Sequence, residues 1–370
     1  MNSRGGFKVA FDATPLVGPL TGIGQFVRQA TAAVRALDDA PELVPYIWSL
    51  RAPRSGARLF GPAIRRVRFP ASVAVRLWPR VDFPRARRTF ADVDVVHGTN
   101  FIAPPTGKPT VLTIHDCSFV TAPDRVVPVV RAFGPVVRKL VANGAYVHAP
   151  SEFVAGQVRE IFATNRVKAI PHGAPALAPV PFDDLPELPG LDGKPYLVAV
   201  GTSEPRKNFP RLIGAFGLLH QTHPDLCLVL AGPDGSDRPA IDAAVAALPR
   251  SAAEHVLFAG WLDEPHRNAV VARAQALVYP SLDEGFGLPA VEAMALGTPV
   301  VAADAGALPE VVGNAAVLVD PLDEASIATG VTSALDRRDE LIALGHRRLE
   351  AFSWSRSAEA LVALYRLLVP

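Results

Sequence analysis

Twice along this 370-residue chain, short β-rich runs alternate with segments of helical period, and a proline-rich stretch separates the two series. Such alternation is the signature of parallel α/β architecture, because parallel neighbours can be joined only through a crossover. In the first series the predicted strands are Lys8–Phe11, Leu43–Trp48, Val93–His97, Thr110–Ile114, Tyr146–Ala149 and Val167–Ile170. A helix is predicted over Gly24–Leu37, with Phe26, Val27, Ala30, Val34 and Leu37 on one face, and Ser151 is placed to cap another that runs to about Phe162. The second series predicts strands Tyr196–Val200, Leu226–Leu230, Val256–Phe258, Ala276–Tyr279, Val300–Ala302 and Val317–Val319. Three helical stretches then finish the chain, the last predicted over Trp354–Leu368. Between the series, Pro171 to Pro195 is too rich in proline for a regular element and reads as a linker. The expected division is therefore 1–175 for a first domain and 190–353 for a second, with the closing helix, 354–370, returning to the first. A chain of this length also exceeds what one ordinary core can bury.

Composition narrows the class. A hydrophobic content of 49% and a charged content of 20% belong to a globular protein. No apolar stretch approaches the roughly 18–20 residues that a membrane span needs. Met1 to Gly6 is polar and leads at once into a strand, so no signal peptide is expected. Cys117 and Cys227 fall in different halves and read as free thiols of a reducing compartment, which makes the cytoplasm the expected location. The net charge of +1 hides an asymmetry: residues 1–180 carry 23 Lys/Arg against 11 Asp/Glu, and residues 181–370 carry 14 against 25. Eleven arginines stand between Arg51 and Arg88 against one acid, Asp82. That region reads either as a solvated surface or as a face for an anionic acceptor or the acidic head groups of a membrane. Nucleic acid is not an expected partner, since the stretch has no groove-reading module and no stacking pattern of aromatics.

The chemistry concentrates in DEGFGLPAVEAMALGTP, Asp283 to Pro299. Two carboxylates, Glu284 and Glu292, bracket a glycine-rich turn and the start of a helix. Pro289 suits a first helical turn and Gly297 a left-handed stop. The backbone amides of Gly285, Phe286, Gly287 and Leu288 lie at the positive end of that helix, where a phosphate is favoured, and the carboxylates can hold hydroxyls on either side. Hydroxyl, phosphate, hydroxyl is the layout of a nucleotide sugar. The segment GTSEPRKN, Gly201 to Asn208, places Arg206 and Lys207 at another helix start, where cations are unfavourable unless an anion joins them.

Other motifs carry less. Thr21-Gly22-Ile23-Gly24 offers a close backbone approach, but Val27 at the third glycine position excludes a dinucleotide fingerprint. His115-Asp116 follows the predicted strand Thr110–Ile114 and His97 ends another; in isolation each reads more readily as a capping Asp or a packed His than as a cleft residue. Asp92-Val93-Asp94 matches a metal-binding D-x-D pattern, but Val93 to Val96 read as a strand rather than a ligand loop, so no metal is expected.

Together these motifs resemble the retaining, nucleotide-sugar-dependent glycosyltransferases of family 4. The resemblance covers nearly the whole chain and is strongest from Tyr196 to Pro321. Its E-x7-E element stands as Glu284 to Glu292 in EGFGLPAVEAMALGTPVV, and GTSEPRKNFPRLIGAF, LPEVVGNAAVLVDP and IPHG are similar to the family as well. It implies an α/β fold of GT-B type, two Rossmann-like parallel-sheet domains facing across a cleft. It implies that Glu292 holds the ribose, that Glu284 holds hydroxyls of the donor sugar, and that Phe286, Gly287 and Leu288 meet sugar and diphosphate through backbone amides. Lys207 and Arg206 would neutralise the departing diphosphate, and Trp261 and Leu262, after Gly260, would border the base. From the first domain, Gly24 would approach the diphosphate and His115 the donor sugar. Many members carry an arginine where this chain has Thr202, and the E-P-R-K-N variant recurs among mannosyl- and rhamnosyl-type enzymes. GDP-mannose is therefore the favoured donor, with no cofactor, and a glycan or lipid-linked acceptor of cell-envelope polysaccharide synthesis the expected partner. Transfer with retention needs no side-chain nucleophile, because the leaving phosphate can take the acceptor's proton on the same face. Two alternatives remain at this point: a sugar-nucleotide 2-epimerase of the same fold, and a non-catalytic two-domain sugar-binding protein.

Overall fold

The structure is a computed structural model that describes residues 6–18, 20–48, 64–67, 69, 71–82, 86–126, 128–175 and 188–369. The chain forms two compact units, Met1–Gly173 with Ser353–Pro370, and Ala174–Phe352.

Seven parallel strands build the first unit: β1 (Lys8–Asp12), β2 (Glu42–Trp48), β3 (Arg65–Val67), β4 (Val95–Gly98), β5 (Thr110–Thr113), β6 (Tyr146–Ala149) and β7 (Val167–Ala169). Their order is β3-β2-β1-β4-β5-β6-β7, so the winding reverses between β1 and β4. Ligands of such sheets bind beyond the carboxyl ends of the strands at that reversal. The helix Gly22–Arg35 begins two residues earlier than its apolar spacing predicts, and buries Phe26, Val27, Ala30, Thr31 and Val34. Ser151 caps Glu152–Phe162 as expected, its hydroxyl accepting from the Val154 amide at 3.2 Å.

Strand β3 has no apolar run to announce it. It forms at the sheet edge, where Arg65 makes a bidentate pair with Asp92 at 2.7 Å and bonds the Thr89 carbonyl. This corrects the placement of the D-x-D segment: β4 starts only at Val95, and Asp92 and Asp94 precede it at its amino end. Asp94 accepts from the Lys8 amide at 2.8 Å, so both carboxylates serve to set the start of the sheet. Of the arginine-rich region, Arg51, Arg54, Arg58, Arg68 and Arg85 lie outside the described residues.

The closing helix, Trp354–Arg366, belongs to the first unit, and its Leu361, Val362, Leu364 and Tyr365 pack with Phe11, Phe26 and Val27. A buried polar chain ties it to the sheet. Tyr365 Oη lies 2.7 Å from His97 Nδ1, His97 Nε2 lies 2.7 Å from Thr113 Oγ1, and Thr113 Oγ1 lies 3.0 Å from His148 Nδ1. His148 Nε2 ends the chain on the Ile170 carbonyl at 3.0 Å. A carbonyl only accepts, so His148 Nε2 carries the proton and its Nδ1 accepts from Thr113. The Thr113 oxygen then receives the His97 Nε2 proton, and Tyr365 donates to His97 Nδ1. One proton order satisfies every bond, provided both imidazoles are neutral; burial drives both below their ordinary pKa, His148 to about 4. His97 is thus a core residue inside β4, not a site residue. Tyr365→Phe leaves His97 Nδ1 buried without a donor and is expected to cost about 1–3 kcal/mol. Urea unfolding checks this, and an unchanged midpoint would refute the latch.

Six parallel strands build the second unit: β8 (Tyr196–Val200), β9 (Cys227–Ala231), β10 (Val256–Gly260), β11 (Ala276–Tyr279), β12 (Val300–Ala303) and β13 (Val317–Val319). Their order is β10-β9-β8-β11-β12-β13, with the reversal between β8 and β11. Strands β8, β9, β11 and β12 are almost wholly buried, as uninterrupted apolar runs covered on both faces must be. Among the described residues, no helix is long and apolar enough to cross a membrane.

Candidate active site

At the reversal of the second sheet, the loops that leave β8 and β11 are stitched to each other. Leu282 N donates to the Arg206 carbonyl at 2.8 Å, and Asn208 Nδ2 donates to the carbonyls of Pro280 and Pro321 at 3.1 and 2.7 Å. Pro205–Lys207 forms a single tight turn that ends on Asn208 in the left-handed region, φ 59°. This backbone delivers Arg206 and Lys207 to Glu284, 78 and 77 residues further along the chain.

Lys207 is only 5% exposed and Glu284 9%. Lys207 Nζ lies 2.6 Å from Glu284 Oε1 and 2.7 Å from Tyr279 Oη. Arg206 Nη1 reaches the same Oε1 at 2.9 Å, while its Nε holds Glu204 at 3.0 Å. Both cations therefore end on one oxygen of Glu284. Burial alone would raise that carboxyl, but Lys207 and Arg206 outweigh it and bring it down to about 2, so Glu284 is ionised at any working pH. Lys207 responds the other way. Burial, with repulsion from Arg206, exceeds the attraction of Glu284 and lowers it to about 8. Here the ammonium is held against its own desolvation, as groups at functional sites often are.

The helix Leu288–Ala295 starts beside this cluster, with Pro289 in its first turn, Gly287 at φ 94° before it and Gly297 at φ 71° beyond its end. These bounds agree with the sequence expectation. Leu288 opens the helix, and Phe286, one residue before the cap, is buried edge-on against Phe352, ring centroids 5.4 Å apart. Glu292, one turn in, takes Arg267 Nη2 on Oε1 at 3.2 Å. At the carboxyl ends of β8, β9 and β10 a cavity of about 350 Å³ opens, walled by Gly201, Ser203, Phe258, Arg238 and the 56% exposed Trp261. Leu262, the next residue, is half-buried.

In the first unit, His115 follows β5. Its Nε2 donates to the Thr99 carbonyl at 2.8 Å, and its ring meets Phe26 and Phe101 edge-on. Burial lowers its pKa, so the ring is neutral with Nδ1 as its acceptor. Asp116 caps the turn that follows, accepting from the Ser118 amide at 2.9 Å. Gly24 has a nearer reason to be glycine than a ligand: an added Cβ would stand 2.9 Å from both the Pro15 carbonyl oxygen and Leu20 Cδ2.

Two residues of the cluster were not singled out by sequence reasoning. Tyr279 is the last residue of β11, and its place at the carboxyl end of a strand beside the reversal was a usable signal. Arg267 had none, because nothing in its spacing connects it to Glu292.

Comparison with known proteins covers both units. The family described as "Glycosyltransferase Family 4" matches residues 20–176, and that described as "Glycosyl transferases group 1" matches residues 183–347. The chain is 27% identical to "O-antigen chain mannosyltransferase B" of Escherichia coli, over 98% of this chain and 100% of that one. It is 31% identical to "D-inositol 3-phosphate glycosyltransferase" of Nocardia farcinica, over 76% of this chain and 68% of that one. Among solved structures, HepE of Anabaena in complex with UDP and glucose superposes with a TM-score of 0.72 at 18% identity, over 98% of this chain and 100% of that one.

Proposed function

Because the chain belongs to family 4 of the glycosyltransferases, we propose that it moves mannose, with retention, from GDP-mannose to a glycan or lipid-linked acceptor. The enzyme is a glycosyltransferase of GT-B type; the donor, the acceptor and the residue roles are the proposal. The observation that carries it is the meeting of Arg206 and Lys207 on a single oxygen of Glu284. That arrangement offers cations to a diphosphate beside the carboxylate that would hold the sugar hydroxyls.

The reaction breaks the bond between the anomeric carbon and the diphosphate oxygen. A bond to the acceptor oxygen forms on the same face, and the acceptor's proton passes to the departing diphosphate. Charge grows on that diphosphate, so preorganised cations and amides in a low-dielectric site lower the barrier. Lys207 and Arg206 supply the cations, and the amides of Phe286, Gly287 and Leu288 add the positive end of a helix. Glu292, oriented by Arg267, holds the ribose, and the cavity beside Trp261 takes the base. Neutral His115 is suited to accept a sugar hydroxyl at Nδ1. A nucleophilic role for Glu284 is disfavoured, because a carboxylate locked to two cations is a weak nucleophile.

Mannose is favoured by the E-P-R-K-N loop and by the likeness to an O-antigen mannosyltransferase along the whole chain. Such an enzyme would act at the cytoplasmic face of the cell envelope, where the arginine-rich stretch from Arg51 to Arg88 suits an anionic acceptor or leaflet. The test is a panel of GDP-mannose, UDP-glucose, UDP-galactose and dTDP-rhamnose, each incubated with and without cell-envelope lipid extract. Acceptor-dependent release of GDP from GDP-mannose is expected. Release from UDP-glucose alone would overturn the donor, and an epimerised sugar released without acceptor would overturn transfer.

A further inference from the structure

We infer that Tyr279 is a positioning residue for Lys207, holding its ammonium by ring and hydroxyl at the place where the donor's diphosphate must lie. This rests on the transfer reading above and adds a residue that the family resemblance does not assign.

Lys207 runs through a slot. On one side is Gly201, φ 154°, where an added Cβ would stand 2.9 Å from Lys207 Cε and 3.2 Å from Cδ. On the other is the Tyr279 ring, whose centroid lies 4.6 Å from Nζ. Two strand ends thus fix the lysine stem, Gly201 following β8 and Tyr279 closing β11. The ammonium then has three protons to place. One goes to Glu284 Oε1 and one to Tyr279 Oη; among the described residues no acceptor takes the third. An ammonium anchored at two points on one side presents its remaining N–H in one direction.

Tyr279 can act only as an acceptor toward Lys207. Burial, reinforced by the Glu284 charge, holds its hydroxyl far above the ordinary tyrosine range, so it stays protonated and receives the ammonium N–H on its oxygen. The charged groups facing Lys207 are Glu284 from the loop after β11, and Arg206 and Glu204 from its own turn. Of these only Glu284 touches it. Since burial already lowers the lysine to about 8, the loss of an acceptor must lower it further.

Tyr279→Phe keeps the ring and removes the acceptor. Two measurements test it. The chain holds six lysines, few enough for NMR titration of protein labelled with 13C at lysine Cε. The Lys207 signal is expected to titrate about one pH unit lower in Tyr279→Phe, in keeping with the loss of one charge-assisted hydrogen bond. Calorimetry with GDP, and with UDP as a second probe, is expected to show affinity breaking downward above pH 8 in the wild type and about one unit lower in the variant. At pH 7.5 the variant should bind about threefold more weakly, as a one-unit fall from about 8 requires at that pH, and Tyr279→Leu weaker again, because the ring contact goes as well. An unchanged Lys207 titration in folded Tyr279→Phe overturns the positioning role and leaves the transfer reading intact. A wild type that binds neither GDP nor UDP overturns the transfer reading and this role with it.

Discussion

Lys207→Ala is expected to lower kcat/KM for sugar transfer by about two to three orders of magnitude, the usual cost of deleting one preorganised donor from a site where negative charge develops. The ground lies in the geometry. Lys207 is buried, held at two points, and aimed from a slot between Gly201 and Tyr279. A group so fixed needs little reorganisation when the diphosphate leaves. Arginine should not rescue the loss, because its broad planar fork does not fit the slot that the lysine stem occupies. The pH dependence follows with a definite sign. The protonated lysine stabilises the diphosphate, and its pKa in the free enzyme is about 8. Turnover at low donor concentration should therefore fall as pH rises through about 8, and Lys207→Ala should lose that limb of the profile. Initial rates against donor concentration, from pH 6 to 9.5, check both parts. A variant within tenfold of wild type would remove Lys207 from the chemistry.

Glu284→Ala is expected to abolish acceptor-dependent release and also to destabilise the fold. Transfer is lost because the donor sugar loses its hydroxyl acceptor and both cations lose their shared anchor. Stability falls because the change leaves an ammonium buried without a counter-charge, which typically costs about 3–5 kcal/mol. Lys207 limits that penalty by releasing its proton, since its pKa must drop once the carboxylate is gone. Above about pH 8 the wild-type lysine is itself largely neutral, so the gap between wild type and variant should narrow. Urea unfolding at pH 7 and pH 9.5 measures the gap, and assays on the folded fraction separate lost activity from lost protein. If the gap is equal at both pH values, the ion pair does not set the penalty. If the folded variant retains transfer, Glu284 does not hold the donor.

Much of this was open to inspection in the sequence because the signals are local. Glu284, Pro289, Glu292 and Gly297 lie within one turn and one helix, so their spacing already reports their geometry. Adjacent cations at Arg206 and Lys207 were conspicuous because a helix start disfavours them. Strands β8, β9, β11 and β12 were visible as unbroken apolar runs for the same reason that they are buried on both faces. Strand β3 was not, because Arg65-Arg66-Val67 becomes a strand only through its pairing with β2 and its anchor on Asp92. Gly24 read as a ligand approach, and its tight neighbour is Pro15, brought there by the return of the chain after β1.

By itself, then, the sequence determined the two parallel sheets, the family and the identity of the charged residues at the strand ends, since periodicity, turn chemistry and helix-end preferences all act within a few residues. The tertiary structure alone decided that Lys207 and Arg206 share one oxygen of Glu284, that Tyr279 completes the lysine's slot, and that burial carries the lysine down to about 8. Desolvation and pairing depend on what surrounds a group in space, and Lys207 and Glu284, 77 positions apart, meet because the winding of the sheet sets the loops after β8 and β11 side by side.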